Sequence, residues 1–308
     1  MISIAVIVLN WQQAQLTIDT IESVKNINQQ GFIYQIFLVD NGSKDNCVTE
    51  FKKKYGNDKM VSLILMPNNL GFSAGNNVGI KEALKQNYDY ILLLNSDVLV
   101  DPNFLKELYL PFKTNPKLGM AGPKIYFAPG FEFHKDKYQK NEIGKVIWSA
   151  GGVVDWNNVY ANNIGIDQVD NGQFDEPKYD LEFITNCCVL IKSKAIKKSG
   201  LMPEDYFMYC EDGDFCQQIY RHGFQIAYCP KSIIWHRNSG SSQAGGGPFH
   251  DYFLTRNRLI FASKYAPIRT KFALFRENIR LLLYKGTPWQ KQGVIDYYLG
   301  KKKKGSWK

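Results

Sequence analysis

A run of apolar residues that stops at a carboxylate is the segment of this sequence most suggestive of chemistry. Ile91–Leu94 has the length and composition of a strand buried on both faces, and three polar residues that end in Asp97 follow it directly. Ligands of open α/β sheets bind at the carboxyl edge, where such a strand ends. Asp97 is therefore predicted to hold a divalent metal and, through it, a diphosphate. The alternative is a polar turn in which Asp97 caps a helix that begins near Pro102.

A second concentration of acids lies in an aromatic segment further along the chain. Glu211, Asp212 and Asp214 are predicted to open a helix. Acids in a first helical turn are favoured by the helix dipole, so a purely structural role is one explanation. The other is catalysis, because crowded carboxylates raise the pKa of one of them, which suits a general base.

One histidine, His236, stands where a site edge is expected. It follows the apolar residues 233–235 and precedes the small-residue loop 239–242. A single histidine is more often structural than a metal ligand, so both roles remain open.

Two further strand ends carry polar residues. The predicted strand Tyr34–Val39 is followed by Asp40 and a glycine turn. After the predicted strand Val61–Met66, the segment Asn68–Ile80 contains three glycines and four asparagines and leads into a helical pattern at 78–84. Gly71 permits close backbone approach, and a helix N-terminus after it would offer N–H groups to an anion. The glycine spacing matches neither a dinucleotide-binding motif nor a P-loop. A plain loop into a helix is the alternative.

Alternating strands and helices must position these residues. In the first hundred residues each predicted strand ends in polar residues and helices separate the strands, which predicts a parallel, doubly wound sheet with right-handed crossovers. A hairpin is predicted within 148–164, a strand at 183–191 and a helix at 249–265. The overall class predicted is α/β, with a mostly parallel central sheet flanked by helices and with C-terminal helices. The predicted strands of the first hundred residues are Ile2–Leu9, Tyr34–Val39, Val61–Met66 and Ile91–Val98.

The composition is that of a globular protein with excess positive charge. Its 308 residues are 44% hydrophobic and carry a net charge of +9, and they suffice for one large or two smaller domains. Charge concentrated at Lys301–Lys304 and Arg256–Lys285 suggests an anionic partner: a membrane surface, a nucleotide-sugar or nucleic acid. We expect the last eight residues to form a solvated basic tail. Six cysteines without a C-x-x-C pair predict reduced thiols.

Two features bear on location. No apolar run approaches the ~18 residues of a membrane span, and the N-terminus lacks a secretory signal, so a cytoplasmic protein is expected. Phe272–Tyr284 places apolar residues opposite basic ones. Such a helix can lie in an anionic membrane interface or pack onto the domain, and both explanations remain open.

The order and spacing of these motifs resemble family 2 glycosyltransferases of the GT-A fold. The resemblance is greatest to the rhamnosyltransferase-like members that build bacterial surface polysaccharides. It covers residues 1–265 and is carried by Val6–Trp11, Val39–Asp45, Asn68–Gly79, Leu93–Val98, Phe183–Leu190, Phe207–Phe215 and His236–Ser242.

The resemblance implies an inverting transfer of a sugar from a nucleotide-diphospho-sugar to an acceptor hydroxyl, with Mn or Mg as cofactor. Asp97 matches the last acid of the D-x-D motif and would hold the metal, which His236 would help to bind; Asn95 replaces the first acid. Asp212 would deprotonate the acceptor, with Glu211 as the alternative. The residues predicted to bind the nucleotide are Asn10, Asp40, Asn41, Asn69, Gly71, Asn76, Asn95 and Ser96, and those predicted to contact the acceptor are Asp214, Trp148 and Cys187.

The resemblance also implies a division of the chain and a cellular role. Residues 1–265 would form the GT-A domain, with a nucleotide-binding half at 1–100 and an acceptor half at 101–265, followed by a basic helical extension at 266–308. The expected acceptor is a saccharide or lipid-linked saccharide of cell-surface polysaccharide synthesis, at the inner face of the membrane. No nucleic-acid-binding module is recognised.

Two alternatives from other functional classes remain. A sugar nucleotidyltransferase usually needs a basic, glycine-rich loop after its first strand, and Asn10–Gln15 lacks one. A catalytically decayed carbohydrate-binding scaffold is disfavoured by the presence of Asp97, Asp212 and His236.

Overall fold

Strands and helices alternate in the first hundred of the residues that a computed structural model describes, 1–238 and 246–307. The strands are β1 Ile2–Asn10, β2 Phe32–Asp40, β3 Val61–Leu65, β4 Tyr90–Asn95, β5 Val98–Val100, β6 Leu118–Phe127, β7 Ile147–Ser149, β8 Gly152–Asp155, β9 Tyr160–Asn163, β10 Cys188–Lys192 and β11 Gln225–His236. The helices are α1 Ala14–Lys25, α2 Cys47–Tyr55, α3 Phe72–Lys85, α4 Phe104–Thr114, α5 Ser193–Ser199, α6 Glu211–Arg221, α7 Pro248–Tyr265, α8 Ile268–Arg280 and α9 Pro288–Tyr298, with a 3₁₀ turn at Lys135–Lys137 and a π-turn at Leu281–Lys285. The predicted α/β class is confirmed.

One large sheet organises the molecule, in the strand order β3-β2-β1-β4-β10-β6-β11-β5, with β7 paired to β6. The first four of these strands are parallel, whereas β10 is antiparallel to both β4 and β6. The mostly parallel sheet is thus confirmed. The strand predicted at 183–191 begins only at Cys188, and the preceding carbonyl of Cys187 accepts a hydrogen bond from the N–H of Asn95 at the end of β4 at 2.8 Å. The predicted hairpin is present as the pair β8–β9.

Alternate residues of β1 fill a hydrophobic core on each face of the sheet. Ile4, Val6 and Val8 pack with side chains of α1 and α4, and Ala5 and Ile7 pack with side chains of α3 and α6. All five are fully buried. Burying an aliphatic side chain of this size contributes roughly 1.5–3 kcal/mol, so the two cores hold the carboxyl edge of the sheet as a rigid platform.

Helix α3 begins earlier than the sequence indicated. It starts at Phe72, so much of the glycine- and asparagine-rich segment is helical rather than loop. A Cβ atom on Gly75 would lie 2.6 Å from the side chain of Leu9, and one on Gly79 would lie 2.7 Å from that of Ile7. These two glycines therefore let the helix pack closely on β1.

The expected solvated tail is instead folded against α7 and α9. Trp307 packs against aromatic rings that include Phe249 and Trp289, at centroid distances of 5.3 and 4.6 Å. The backbone N–H of Ser306 donates to Asp296 at 2.7 Å. The prediction of a solvated tail was wrong for residues 303–307, because hydrogen-bonding groups of α7 and α9 bind their backbone. Among the described residues, no helix has the length and apolar composition needed to cross a bilayer.

Candidate active site

A pocket of about 860 Å³ lies at the carboxyl ends of β1 and β4. Its walls come from the turn between β4 and β5, the segment before β10, the start of α6, helix α7 and the last residues of the chain. The carboxyl edge is where an open α/β sheet binds ligands, and this volume suits a nucleotide-sized molecule.

Asp97 and His236 meet in this pocket although they are far apart in the sequence. His236 is the register partner of Val98 in the β5–β11 pair, so its ring lies beside the preceding Asp97. Nε2 of His236 is 3.1 Å from Oδ1 of Asp97, and both side chains are buried. The ring of Trp148 packs edge-on against the imidazole at a centroid distance of 4.6 Å. The structure therefore brings the two predicted metal ligands together.

The carboxylate of Asp97 and the imidazole of His236, in its neutral form, are donor groups that would hold a divalent ion. Among the described residues, no third His, Cys, Asp or Glu completes a cluster with them. Further ligands would have to come from water and from the substrate, as is usual for Mg²⁺. Asn95, in place of the first acid of the motif, also lines the pocket.

The neighbours of His236 favour its protonated form, with which a metal would have to compete. Burial lowers the pKa of the imidazole, but its contacts with Cys187 and Asp97 outweigh burial and raise that pKa to about 10. A histidine ligand must be neutral, so binding of a metal here would release a proton.

An unusual turn places the acids of α6 in the pocket. Tyr209 and Cys210 have φ angles of 71° and 69°, a left-handed conformation that non-glycine residues rarely adopt. Asn257 of α7 holds this turn by donating its Nδ2 to the carbonyl oxygen of Tyr209 at 3.1 Å. Such strained turns persist only where the surrounding structure stabilises them, and they cluster at functional sites.

The acids that follow this turn have different partners. Oδ2 of Asp212 accepts hydrogen bonds from the backbone N–H of Asn186 at 3.0 Å and from the Thr185 hydroxyl at 3.3 Å. Burial raises the pKa of Asp212 to about 6 in spite of these bonds. Oε2 of Glu211 is buried without a hydrogen-bond partner in the described part of the chain, and burial followed by the charge of Asp212 raises the Glu211 pKa well above its usual range. Asp212 is therefore the carboxyl better suited to act as a base near neutral pH.

The predicted nucleotide-binding residues divide into two groups. Those that line the pocket are Asn41, Asn69, Gly71, Asn95 and Ser96. The amide of Asn41 connects several of these atoms: its Nδ2 donates to Oδ1 of Asn69 at 3.1 Å and to the carbonyl of Gly71 at 3.2 Å. The loop before α3 is thereby tied to the end of β2.

Asn10, Asp40 and Asn76 are not on the pocket wall, in contrast to the prediction. The carboxylate of Asp40 is 1% exposed and accepts hydrogen bonds from Asn10 Nδ2 at 2.8 Å and from the backbone N–H of Ser43 at 2.9 Å. Asn76 is buried and donates to the carbonyl of Phe72. These three side chains hold the ends of β1, β2 and α3 in place, since their polar atoms are already occupied by the protein.

Of the predicted acceptor residues, Trp148 and Cys187 line the pocket and Asp214 does not. Asp214 is fully buried, and its carboxylate accepts hydrogen bonds from Tyr206 at 2.8 Å and Tyr265 at 2.6 Å. It also lies 2.6 Å from Nζ of Lys264. The carboxylate of Asp214 is thus held inside the protein, where it joins α6 to α7, and its acceptor role stays a prediction to which this placement lends no support.

Several wall residues carry no signal in the sequence. Tyr160 and Phe183 add aromatic surface, and Lys304 and Trp307 come from the C-terminal tail. Thr185 donates its hydroxyl to Asp212 and lies in Phe183–Leu190, one of the segments that carried the family resemblance. That segment could have pointed to Thr185 as a residue of the site. The small-residue loop predicted at 239–242 lies outside the described residues.

Residues 3–198 match the model of the family described as Glycosyl transferase family 2. The chain belongs to this family. The matched segment contains Asp97 but ends before Asp212 and His236, so these two residues are placed in the site by the geometry above.

Curated relatives have related activities at low sequence identity. A low-salt glycan biosynthesis hexosyltransferase of Haloferax volcanii is 21% identical over 241 residues, 78% of this chain and 71% of that protein. An N-acetylglucosaminyl-diphospho-decaprenol L-rhamnosyltransferase of Mycobacterium tuberculosis is 22% identical over 67% of each chain. A poly-β-1,6-N-acetyl-D-glucosamine synthase of Staphylococcus epidermidis is 25% identical over 73% of this chain and 47% of that one. With the family match, these relatives identify the chain as a glycosyltransferase.

Solved structures share the GT-A fold. GalNAc-T7 with UDP, GalNAc and Mn²⁺ superposes with a TM-score of 0.68 at 15% identity, covering 96% of this chain and 54% of that one. A mannosyltransferase of Pyrobaculum calidifontis with GDP-Man and Mn²⁺ gives a TM-score of 0.54 at 12% identity, covering 96% and 74%. At these identities the likeness establishes the fold alone.

Proposed function

We propose that this glycosyltransferase moves a sugar, with inversion, from a nucleotide-diphospho-sugar to a hydroxyl of a saccharide or lipid-linked acceptor. The observation that carries the proposal is that the Asp97–His236 pair and the Asp212 carboxyl open into one pocket from different elements of the fold. Asp97 and His236 would act on the leaving diphosphate, and Asp212 would act on the incoming hydroxyl. Different protein groups would thus assist the breaking and the making of the glycosidic bond.

On the donor side, Asp97 and His236 would hold a Mn²⁺ or Mg²⁺ ion. Such an ion neutralises the negative charge that develops on a departing diphosphate. Asn41, Asn69 and Gly71 would border the nucleotide, since they form the adjacent wall. The two similar structures contain UDP with GalNAc and GDP-Man, respectively, which supports this class of substrate.

On the acceptor side, Asp212 would take the proton of the attacking hydroxyl. The acceptor oxygen bonds to the anomeric carbon while the bond from that carbon to the phosphate oxygen breaks, and its electron pair leaves with the nucleoside diphosphate. Attack from the face opposite the leaving group inverts the anomeric centre. Trp148, Tyr160 and Phe183 offer aromatic surface for the apolar faces of sugar rings.

We also propose that α8 attaches the enzyme to an anionic membrane surface. Phe272, Phe275 and Ile279 are exposed and recur at helical spacing on its outer side, while Leu274 faces the protein. The basic residues on or next to this helix are Arg269, Lys271, Arg276, Arg280 and Lys285. An apolar stripe bordered by cations is typical of helices that lie in the headgroup region. A membrane location would suit a lipid-linked acceptor.

The membrane proposal is tested by co-sedimentation with vesicles of phosphatidylglycerol and of phosphatidylcholine. We expect binding to the anionic vesicles alone, and loss of that binding in the double variant F272S/F275S. The matched control I33S removes an exposed side chain of β2 instead and should bind as the wild type does. Equal binding of the double variant would exclude α8 as the attachment surface.

The donor proposal is tested by calorimetric titration with UDP-, dTDP- and GDP-sugars, with and without Mn²⁺. We expect one donor class to bind in a Mn²⁺-dependent manner, and Asp97→Ala to abolish the dependence. Thermal unfolding of the variant serves as the folding control. In turnover assays with an accepting saccharide, release of a nucleoside diphosphate supports transfer, whereas release of pyrophosphate would indicate a nucleotidyltransferase. Absence of binding to every donor would support the decayed scaffold.

A further inference from the structure

The C-terminal tail contributes a positive charge to the pocket. Within the described residues, Lys304 is the one Lys or Arg on a wall that also carries Asp97, Glu211 and Asp212. Its Nζ lies 5.3 Å from the centre of the Phe207 ring. A cation that rests on an aromatic ring of the pocket wall is available to an anion that enters the pocket.

The neighbouring lysines of the tail are occupied by carboxylates. Lys301 is 3.3 Å from Asp296, and Lys302 is 3.0 Å from Asp205. Lys303 is 4.0 Å from Glu204. For Lys304 the described residues contain no carboxylate within 4.0 Å. The four lysines therefore differ in role, and the fourth is the one directed to the pocket.

Buried polar groups fix the backbone on both sides of Lys304. Arg256, which is fully buried, donates Nη2 to the carbonyl of Lys303 at 2.6 Å. Gly305 has a φ of +55°, and a Cβ there would lie 2.1 Å from the hydroxyl of Tyr252. The N–H of Lys303 donates to the carbonyl of Asp205 at 2.8 Å. A solvated tail would not need this network, so the fold specifies where Lys304 lies.

The position of Phe207 shows which part of the pocket this charge reaches. The carbonyl of Phe207 accepts a hydrogen bond from the N–H of Phe72, the first residue of α3, at 3.0 Å. A Cβ on Gly71 would lie 2.5 Å from the same carbonyl. Phe207 thus contacts both Lys304 and the N-terminal end of α3, where the helix dipole is also positive. This end of α3 is the wall assigned above to the nucleotide.

From these observations we infer that Lys304 binds the diphosphate of the nucleotide-sugar donor and that the C-terminal tail forms one side of the donor site. This inference rests on the proposed function. The diphosphate gains a negative charge when its bond to the sugar breaks, so that its charge then exceeds that of one divalent ion, and a lysine provides a mobile point charge for its oxygens. The same chemistry is present in the diphosphate of a lipid-linked acceptor, so the test must separate the two sources.

The test measures affinity for nucleotides with and without the second phosphate. UDP, dTDP and GDP and the corresponding monophosphates are titrated calorimetrically in Mn²⁺ into the full chain and its variants. Since a hydrogen bond to a charged group contributes ~1.5–3 kcal/mol, Lys304→Ala should weaken diphosphate binding at least ~10-fold. Monophosphate binding should change much less. Lys304→Arg should retain most of the affinity.

The control is Lys302→Ala, which removes an equal charge that is paired with Asp205 and lies off the wall. It should bind each nucleotide as the wild type does, and thermal unfolding should be unchanged in both alanine variants. Equal diphosphate affinity in Lys304→Ala and the wild type would overturn this inference and leave the proposed function intact. If the wild type bound no nucleotide, both would be overturned. If Lys304→Ala lost binding of farnesyl diphosphate but kept nucleoside diphosphates, the donor assignment would be wrong.

Discussion

Asp212 and Glu211 show how two adjacent carboxyls acquire different properties in one pocket. Asp212 accepts hydrogen bonds that stabilise its charged form, whereas Oε2 of Glu211 has no partner in the described residues. We therefore expect Asp212→Asn to lower kcat by ~10²–10⁴-fold while nucleotide affinity stays near that of the wild type.

The comparison for this prediction is Glu211→Gln, which preserves volume and should reduce kcat less. Initial rates and calorimetric affinities measured on the same preparations separate the two effects. A larger loss of kcat in Glu211→Gln than in Asp212→Asn would indicate that Glu211, rather than Asp212, is the base.

The raised pKa of Asp212 predicts opposite pH dependences for activity and stability. A base must be ionised, so kcat/KM should rise as pH increases through about 6 and level off above it. The folded state holds this proton more tightly than the unfolded state, in which the pKa is 3.8. The contribution of Asp212 to the free energy of unfolding should therefore fall as pH rises from 3.8 to about 6 and level off above that pH. Because Glu211 is adjacent, the apparent pKa belongs to the pair.

The measurements are a pH–rate profile and chemical unfolding at several pH values. For Asp212→Asn, the free energy of unfolding should no longer show the fall that the titration of Asp212 causes in the wild type. A pH–rate profile that is flat between pH 5 and 8, a range in which an unperturbed carboxyl is already ionised, would contradict the assignment of a raised pKa to the base.

At the scale of elements, the loop before α3 illustrates a site formed by close backbone approach. Gly71 combines a φ of +91° with a Cβ position 2.5 Å from the carbonyl of Phe207. Gly71→Ala should thus both strain the backbone and push α3 away from residue 207. We expect weaker binding of nucleoside diphosphates, measured by calorimetry, and a lower thermal midpoint.

A matched control isolates the clash from the strain. Gly31→Ala has nearly the same φ, +87°, with no atom within 4 Å of the added methyl. It should destabilise the protein to a lesser degree and leave nucleotide affinity unchanged. Similar loss of affinity in the two variants would show that the approach of Gly71 to Phe207 does not shape the site.

At the scale of the whole molecule, the end of the chain returns to the site formed near its start. Trp307 lines the pocket and also packs on Tyr252 and Phe253 of α7 and Trp289 of α9. Trp307→Ala should therefore lower stability and nucleoside diphosphate affinity together. Loss of a partly buried aromatic contact of this kind costs ~2 kcal/mol, less than the value for a full core position.

Thermal unfolding and calorimetry on the same variant check this coupling. Trp11→Ala provides a comparison, because Trp11, just after β1, also lines the pocket but is 39% exposed. It should affect stability less. A destabilised Trp307→Ala that still binds nucleoside diphosphates normally would separate the tail from the donor site.

The sequence by itself was sufficient for the alternating fold and for several residues of the site. Buried strands that end in polar residues predict which side chains reach the carboxyl edge, because strand direction and side-chain period follow from local patterns. Asp97 and the polar residues Asn95 and Ser96 before it were located in this way, whereas Asn41 was predicted from the family resemblance. The acids at 211–214 were recognised as a group, but local pattern cannot distinguish which acid faces a pocket.

Tertiary structure decided what depends on contacts between distant residues. It directed Asp212 to the pocket and Asp214 to Tyr206 and Tyr265, since the left-handed turn before α6 sets the rotation of that helix. It also placed His236 beside Asp97 through the β5–β11 register, and it folded Lys304 into the wall through the buried Arg256. The basic tail has no periodicity that indicates packing, and its position depends on hydrogen bonds from α7 and α9 and on the packing of Trp307 against these helices.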